Sequence, residues 1–268
     1  MRRIGIVEGT FDPITESSIQ EIRKKQKEYP VDAIVFVVKK EGLLSQKKRI
    51  QLVKDAIKRY RTFTTKVLPF DQVLFKEEIN DLNEEKIREG KFQYAACGIK
   101  KRLIEEGLYL EEILNAHLKD HRKNHSIEVA KLCVELAKVH HVDTTKAYIA
   151  GMLHDITKNQ PDSYHEPFLK EYHPEILTYN PRVWHSYSAP YFLKQELGIN
   201  DAMILNAIKH HTLGTGKSKL DYILYIADKC EPTRGYDASK EIQLSKENLK
   251  KGFQLVMKES EEYRKKEK

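Results

Sequence analysis

The stretch "VEGTFDPITESS" (residues 7–18) joins a short apolar strand to a helix through a turn that contains Gly9 and Pro13. A strand, a loop and a helix in this order present backbone N–H groups at the helix N-terminus, which is the layout of many phosphate-binding loops. The helix start, from Thr15 to Ser18, nevertheless contains no histidine or lysine that would handle a phosphate. The stretch therefore predicts the fold of such a loop without its chemistry.

The elements around this loop alternate between strands and helices. We expect "VDAIVFVV" (31–38) to be a buried parallel strand, because it is an almost continuous apolar run rich in β-branched residues. The other predicted elements are a strand at 3–8, helices at 15–29 and 45–60, a third strand within "TFTTKVLPF" (62–70), a polar helical stretch at 71–89, and a turn and helix from 94. This order predicts an open parallel sheet of the α/β class.

From residue 110 onward the pattern indicates helices alone. The predicted helices occupy 110–119, 124–141, 144–158, 186–197, 201–211, 218–230 and 240–263, with Asp143 and Asp201 as N-caps. All eleven histidines lie between His117 and His211, whereas the first 116 residues contain none. We therefore predict two domains, an α/β domain at 1–109 and an all-α domain at 110–268.

Composition restricts the class of protein. The chain has 268 residues, of which 40% are hydrophobic and 32% are charged, and no apolar run approaches the ~20 residues of a membrane-spanning helix. Its first residues lack the apolar stretch of a signal peptide, and its three cysteines form no disulfide framework. We therefore expect a cytoplasmic protein with no membrane partner. The net charge of +7 is spread over both halves without a basic stripe, which favours anionic small molecules over nucleic acid.

Histidine and aspartate side chains continue the apolar stripes of several predicted helices. A single buried histidine is usually a hydrogen-bonded core residue, and a buried carboxylate costs several kcal/mol unless it is paired or binds a metal. Taken together, the buried set predicts a metal site. Histidine and aspartate without a thiolate suit iron, manganese or a similar ion rather than structural zinc. The residues of this set are His125, His154, Asp155, His185, His211 and Asp228.

The order of these residues resembles that of a known family. His125, the adjacent His154 and Asp155, and Asp228 match the H…HD…D signature of the HD-domain metal-dependent phosphohydrolases. Within that superfamily, residues 117–268 resemble the YqeK family, whose members hydrolyse diadenosine tetraphosphate symmetrically into two ADP. The matching stretches are "RKNHSIEVA", "AGMLHDITK", "HSYSAPYFLKQELGI", "HHTLG" and "YIADKCEPTRG". Ser186 stands where the family commonly has glycine.

The resemblance implies a role for each matching residue. The implied primary metal ligands are His125, His154, Asp155 and Asp228, and His185 and His211 would bind either phosphate or a second metal ion. The implied ion is iron, in a mono- or dinuclear site, with manganese or another divalent metal as the alternative. Asp155 and Lys158 are the implied catalytic residues. The implied substrate contacts are Arg122, His125, Asp155, Ile156, Thr157, Lys158, His185, His211, Thr212, Asp228 and Arg234.

The first domain resembles the nicotinate-nucleotide adenylyltransferase family, a Rossmann-like nucleotidyltransferase that is sometimes fused to a YqeK domain. The H/T-x-G-H motif of that family stands here as Thr15 to Ser18, so Ser18 replaces the phosphate-binding histidine. "YAACGIKKR" (94–102) aligns with the second motif, I-S-S-T-x-x-R, but residues 95–97 have lost the hydroxyls. The segment is also too short for the whole sheet of the family. We therefore expect a reduced Rossmann-like domain that keeps the turn for its fold and has lost its catalysis.

These observations predict metal-dependent hydrolysis of diadenosine tetraphosphate at its central bridge. Three alternatives stay open. The HD domain would act on a guanosine alarmone or a nucleoside triphosphate, the protein would be bifunctional and retain adenylyl transfer, or it would sense a nucleotide without hydrolysing it. The sequence does not determine the oligomeric state.

Overall fold

The computed structural model describes residues 1–266, with the helical backbone alone for Arg264 and Lys266. The chain divides into two compact units, residues 1–105 and the residues from Glu106 onward. All strands of the described chain lie in the first unit, and the second contains only helices and their connections. The predicted combination of an α/β domain and an all-α domain is therefore confirmed.

The first unit is built on a four-stranded parallel sheet with the strand order β3-β2-β1-β4. β1 pairs with β2 from Ile4 opposite Ala33 to Gly9 opposite Val38. β2 lies inside the sheet, and five of its six residues are buried, as its apolar sequence predicts. The strands are β1 (Arg3–Gly9), β2 (Ala33–Val38), β3 (Phe63–Thr64) and β4 (Gln72–Ile79).

Hydroxyl side chains begin the two longer helices of the first unit. Thr15 Oγ1 accepts a hydrogen bond from Ser18 N (3.0 Å), and Ser45 Oγ accepts one from Lys48 N (3.3 Å). The buried Arg49 donates to four backbone carbonyls in the loops that follow β1 and β2, and so holds these loops together. The helices are α1 (Glu16–Glu28), α2 (Gln46–Ile57), α3 (Asn83–Arg88) and α4 (Lys100–Glu105).

The prediction of a polar helical stretch at 71–89 is wrong for most of its length. Residues 72–79 form β4, which pairs with β1, and the helix is confined to α3. β4 is an edge strand with mostly polar exposed side chains, and its backbone hydrogen bonds to β1 override the helical pattern of those side chains. The predicted third strand is shorter than expected, since only Phe63 and Thr64 pair with β2.

The second unit is helical over its described residues. Asp143 and Asp201 cap α7 and α10 as predicted, and each accepts from two backbone N–H groups. Within residues 1–266, no helix is both long enough and apolar enough to cross a membrane. The helices are α5 (Leu110–His117), α6 (Asp120–Val139), α7 (Thr144–Leu153), α8 (Asp162–Tyr172), α9 (His185–Gln195), α10 (Ala202–His210), α11 (Lys219–Cys230), α12 (Ser239–Glu247) and α13 (Leu249–Lys266).

Three helix predictions in this unit need correction. α8 lies outside the helices that the sequence predicts, and it contains Pro167 although proline is disfavoured in a helix interior. The single helix expected at 240–263 is two helices, which break at the extended backbone of Asn248 (φ −150°, ψ 99°). The Asn248 side chain then accepts from Lys251 N (3.0 Å) and begins α13. α7 ends at Leu153 rather than at 158, which matters for the candidate site.

α6 and α7 form the most extensive helix contact of the second unit. At the crossing, Gly151 of α7 lies against the backbone of Ala130 in α6, and a Cβ on this glycine would stand 2.5 Å from Ala130 Cα. Only a residue without a side chain permits so close an approach. The crossing brings α6 beside the residues that follow α7.

Replacing Gly151 by alanine should destabilise the second unit. The added Cβ would meet Ala130 Cα at 2.5 Å and Ala130 N at 2.9 Å, and backbone atoms cannot move aside as the end of a side chain can. Overpacking costs ~1–3 kcal/mol, which exceeds the ~1 kcal/mol that alanine gains over glycine in a helix. Denaturant unfolding should show a lower free energy of unfolding for Gly151→Ala. Thr145→Ala, at an exposed position of the same helix, should be as stable as the parent chain or slightly more stable, because alanine favours the helix. An equal or higher stability of Gly151→Ala would contradict the prediction.

Candidate metal centre

Six side chains from five helices and their ends meet at one buried point of the second unit. They are the six that the sequence singles out as the candidate metal set, and each is at most 6% exposed. His125 lies on α6 and Asp228 on α11, while His185 begins α9. His154 and Asp155 follow α7, and His211 follows α10. The structure thus brings together residues that are up to 103 positions apart in the chain.

Two adjacent residues at the end of α7 reach the same cluster. The helix ends at Leu153, and the chain continues in a tight turn in which Ile156 N donates to Leu153 O (3.2 Å) and Lys158 N donates to Asp155 O (2.8 Å). His154 Nε2 lies 3.3 Å from His125 Nε2, and Asp155 Oδ2 lies 3.8 Å from His154 Nε2.

Two overlapping groups of side chains have the spacing of metal ligands. One group is His125, His154 and Asp228, the other is His154, Asp155 and His211, and the ligand atoms of each lie within 4.8 Å of one another. His125 Nε2 lies 3.1 Å from Asp228 Oδ1 and 3.3 Å from His154 Nε2. In the second group, His211 Nε2 lies 3.6 Å from Asp155 Oδ1. Because His154 belongs to both groups, the arrangement suits one ion or two neighbouring ions.

The hydrogen bonds of the Nδ1 atoms show which ring nitrogens of the histidines are available to a cation. Nδ1 of His154 (2.7 Å) and Nδ1 of His211 (2.6 Å) each donate to the backbone carbonyl three residues earlier. Nδ1 of His125 donates to the carboxylate of Glu231, whose Oε1 lies 2.8 Å away. A neutral imidazole that donates from Nδ1 carries a lone pair on Nε2. The Nε2 atom of His154 is therefore an acceptor, it lies 3.3 Å from His125 Nε2, and Asp228 Oδ1 lies 3.1 Å from the same His125 nitrogen. These atoms converge on one point, and this set of nitrogen and oxygen atoms fits a metal ion.

His185 has the opposite hydrogen-bonding arrangement. Lys158 Nζ lies 3.0 Å from His185 Nδ1 and 2.8 Å from Arg182 O. An ammonium group only donates, so Nδ1 of His185 accepts and its Nε2 carries the proton. That Nε2 lies 2.9 Å from Asp155 Oδ1 and 3.2 Å from His211 Nε2. In this tautomer His185 is a hydrogen-bond donor rather than a metal ligand.

Burial and mutual contact determine the charge of the cluster. Burial lowers the pKa of His154 to about 3 and the pKa of His185 to about 4, so both are neutral near pH 7. Burial also acts to raise the pKa of Asp155 and Asp228, but neighbouring imidazoles and basic side chains hold both pKa values well below their usual range. Burial acts to lower the pKa of His125 as well, but its contact with Asp228 raises that pKa overall. The cluster therefore combines neutral imidazoles at His154 and His185 with two ionised carboxylates. Buried carboxylates of this kind require a cation or close ion pairs.

Three basic side chains contact the two carboxylates. Lys229 Nζ lies 2.7 Å from Asp228 Oδ2, and Arg234 Nη2 lies 2.5 Å from Asp228 Oδ1. Arg122 Nη1 lies 3.4 Å from Asp155 Oδ2. Sequence reasoning identified the two arginines but missed Lys229, although its place directly after Asp228 was a usable signal.

The remaining predicted substrate contacts are placed in different ways. Ile156 and Thr157 are each 1% exposed, and the Thr157 hydroxyl lies 3.0 Å from Ser188 Oγ, so both side chains pack inside the unit. Thr212 Oγ1 lies 2.9 Å from the hydroxyl of Ser186, which also donates to a backbone carbonyl. The additional hydroxyl of Ser186 is therefore occupied within the fold.

A pocket of about 670 Å³ opens beside the cluster. Tyr225, Tyr236 and Tyr263 contribute to its lining. Lys229 and Arg234 line it as well, and because both also contact Asp228, the pocket adjoins the carboxylates. Aromatic walls with a few polar groups at one end are typical of a small-molecule site.

In the first unit, a carboxylate of the chain itself occupies the start of α1. Asp81 Oδ2 accepts from the hydroxyls of Thr15 (2.6 Å), Ser17 (2.5 Å) and Ser18 (3.2 Å). Burial acts to raise the pKa of Asp81, but these hydroxyls hold it below its usual value. The stretch that resembles the second motif of the family (94–102) lies beside the start of α1, since Thr15 and Ala95 form an isolated β-bridge. A helix N-terminus favours an anion, and here that anion is internal.

Comparison with known proteins agrees with this architecture. The HD domain model matches residues 122–233, within the second unit. A probable nicotinate-nucleotide adenylyltransferase/Ap4A hydrolase of Mycoplasma genitalium is 30% identical over an alignment of 276 positions, gaps included. The alignment covers 92% of this chain and 77% of that protein. The symmetrical bis(5'-nucleosyl)-tetraphosphatase of Bacillus subtilis is 34% identical over 129 residues, which cover 47% of this chain and 69% of that protein.

A solved structure shows the same relationship. The crystal structure of a predicted HD superfamily hydrolase involved in NAD metabolism from Clostridium acetobutylicum aligns with a TM-score of 0.54 at 29% identity. The alignment covers 57% of this chain and 84% of that one. The chain therefore belongs to the YqeK family of HD-domain hydrolases, in the two-domain form that carries a nicotinate-nucleotide adenylyltransferase-like unit before the HD domain.

Proposed function

We propose that the second unit hydrolyses diadenosine tetraphosphate at its central phosphoanhydride bridge, in a metal-dependent reaction that releases two ADP. The observation that carries the proposal is the convergence of the Nε2 atoms of His125 and His154, 3.3 Å apart, on two buried carboxylates. The descriptions of the relatives support the choice of substrate. One is named as an Ap4A hydrolase and another as a symmetrical tetraphosphatase.

The residues suited to hold the ion are His125, His154, Asp155 and Asp228. Their imidazole nitrogens and carboxylate oxygens suit iron, manganese or another divalent metal. Such an ion acidifies water and neutralises negative charge on phosphoryl oxygens when it is bound. His211 faces Asp155 with its Nε2 and suits either a second ion or a phosphate oxygen.

The donors around the cluster suit the phosphate groups of the substrate. His185 Nε2 donates its proton to Asp155 Oδ1, 2.9 Å away. It would donate this proton to a phosphate oxygen of the substrate instead, if that oxygen came closer to Nε2 than Asp155 does. Arg234 offers a guanidinium fork that matches two phosphate oxygens, whereas Lys158 and Lys229 are compact positive charges. These groups would stabilise the negative charge that gathers on the phosphates as the bridge breaks.

The adjoining pocket has room for one nucleoside. Tyr236 and Tyr263, which are both exposed, offer aromatic surface to a purine, whereas Tyr225 is buried. Lys229 and Arg234 contact the Asp228 carboxylate. A nucleoside in the pocket with two phosphates on the basic side chains would put the next phosphoanhydride bond at the cluster. In diadenosine tetraphosphate that bond is the central bridge, so both products would be ADP.

We infer that the first unit does not transfer adenylyl groups. The hydroxyls of Thr15, Ser17 and Ser18 are engaged by Asp81, whose negative charge would repel the phosphates of a nucleotide at the start of α1. The histidine that resembles a phosphate ligand in the family is absent from this loop. The first unit would then serve the fold or a partner rather than the chemistry.

Metal dependence is the first expected property. The purified chain should carry iron or another transition metal in near-stoichiometric amount, measured by elemental analysis. Asp155→Ala removes a carboxylate from the cluster and should lose both the metal and nucleotide hydrolysis. Asp162→Ala, which removes an exposed carboxylate at the start of α8, should retain both. Full turnover after exhaustive chelation would refute the proposal.

The proposed binding of one nucleoside diphosphate unit, in the pocket and on the basic side chains, predicts the position of cleavage. Chromatography of the initial products from diadenosine tetraphosphate should show ADP alone. A panel with a guanosine tetraphosphate alarmone and nucleoside triphosphates tests the alternative substrates, which should turn over more slowly. ATP and AMP as initial products would show that the site holds its substrate differently.

Adenylyl transfer should be absent. The full-length chain, incubated with ATP, a divalent metal and nicotinate mononucleotide, should form no dinucleotide under conditions in which an active adenylyltransferase does. The physical reason is the internal carboxylate at the start of α1 together with the missing histidine. Measurable dinucleotide formation would overturn the inference about the first unit.

A further inference from the structure

Behind the candidate metal centre lies a carboxylate that the sequence comparison assigned no role. Glu231 follows α11, and its side chain has no exposed surface. Its Oε1 lies 2.8 Å from Nδ1 of His125, on the side of the ring that faces away from Asp228. The two residues are 106 positions apart, so this contact ties the end of α11 to α6.

The position of the Glu231 carboxylate is itself fixed. Thr233 N donates to Oε2 (2.5 Å) and Thr233 Oγ1 donates to Oε1 (2.6 Å), both within the tight turn that follows the helix. Arg234, in the same turn, has its Nε 3.8 Å from Glu231 Oε1 and its Nη2 2.5 Å from Asp228 Oδ1. One short turn therefore positions Glu231, which contacts His125, and Arg234, which contacts Asp228.

His125 differs in this respect from the other two imidazoles that donate through Nδ1. His154 and His211 donate to carbonyls of their own helices, three residues earlier, so their orientation is a local property of the chain. His125 instead donates to a carboxylate that comes from another helix. A carboxylate is a stronger acceptor than a carbonyl, and it increases the basicity of the opposite ring nitrogen toward a metal.

We propose that Glu231 is a positioning residue, which holds His125 as the Nδ1–H tautomer and strengthens its Nε2 as a metal ligand. Without this acceptor, His125 has a competing alternative. Its Nε2 lies 3.1 Å from Asp228 Oδ1, so a proton on Nε2 would be satisfied there and would block the metal-binding lone pair. Glu231 removes that alternative by taking the proton on Nδ1. The part of the proposal that concerns metal affinity rests on the metal dependence proposed above.

Two variants separate orientation from charge. Glu231→Gln keeps an oxygen acceptor in place and removes the negative charge, whereas Glu231→Ala removes the acceptor altogether. Glu241→Gln is the matched control, because Glu241 is a buried glutamate of the same unit, on α12, outside the metal centre. All measurements use the full-length chain, and circular dichroism confirms that each variant is folded.

The first measurement is the affinity of the metal-stripped protein for Co²⁺, by competition with a chelator, with the visible absorption of the bound ion as a report on ligand geometry. Loss of a carboxylate behind a metal-binding histidine typically weakens affinity ~10- to 100-fold. We expect a loss in this range for Glu231→Gln, a larger loss with an altered spectrum for Glu231→Ala, and no change for Glu241→Gln. Wild-type affinity in both Glu231 variants, or an equal loss in the control, would overturn the proposal.

The second measurement needs no metal. Nitrogen-15 NMR of histidine-labelled, metal-free protein, recorded at a pH above the raised pKa of His125 so that its ring is neutral, distinguishes the two tautomers. A His125→Gln variant assigns the signal. The wild type and Glu231→Gln should show the Nδ1–H tautomer at His125, and Glu231→Ala should shift it toward Nε2–H. An unchanged tautomer in Glu231→Ala would refute the positioning role. If the wild type bound no Co²⁺, the proposed metal dependence would fail, whereas this tautomer comparison would still decide the role of Glu231.

Discussion

Two ionised carboxylates buried among imidazoles are the constraint on which the second unit depends. Asp155 and Asp228 are each at most 4% exposed, and burial of an isolated carboxylate costs several kcal/mol. The chain offsets this cost by bringing histidines, arginines and lysines from several helices to the same point. The helices of this unit must therefore bring these polar side chains together as well as pack a hydrophobic core. A metal ion would use the same convergence, because the ligand atoms of His125, His154 and Asp228 already lie within 4.8 Å of one another.

Backbone packing determines whether this convergence is possible. Gly151 lets α7 approach α6 so closely that any side chain at this position would meet the backbone of Ala130. His154 and Asp155 follow Gly151 by three and four residues, at the end of α7, and both reach the cluster. The geometry of the cluster thus depends on how near α6 and α7 lie to each other.

The two units treat buried charge in opposite ways. In the second unit, imidazole nitrogens 3.3 Å apart lie beside two buried carboxylates, an arrangement that suits a cation. In the first unit, the hydroxyls at the start of α1 meet the carboxylate of Asp81, so the anion-binding end of the helix is satisfied by the chain itself. The turn joins β1 to α1, and the carboxylate of Asp81 lies where a phosphate-binding loop would hold its anion. If the first unit transfers no adenylyl group, as proposed, this internal contact would explain why the turn is kept for the fold.

The sequence by itself determined the class of each unit and the types of residue at the candidate site. The alternation of strands and helices, the apolar stripes that end in histidine or aspartate, and the H…HD…D order are local patterns, so a single chain displays them. The tertiary structure alone decided which partner each group has. β4 was mistaken for a helix because its pairing with β1 lies outside any local pattern. The contacts of Glu231 with His125 and of Asp81 with Thr15 join residues 106 and 66 positions apart, and Lys158 fixes the tautomer of His185 from 27 positions away. Periodicity encodes which face of an element is buried, but only the packed fold determines what that face meets.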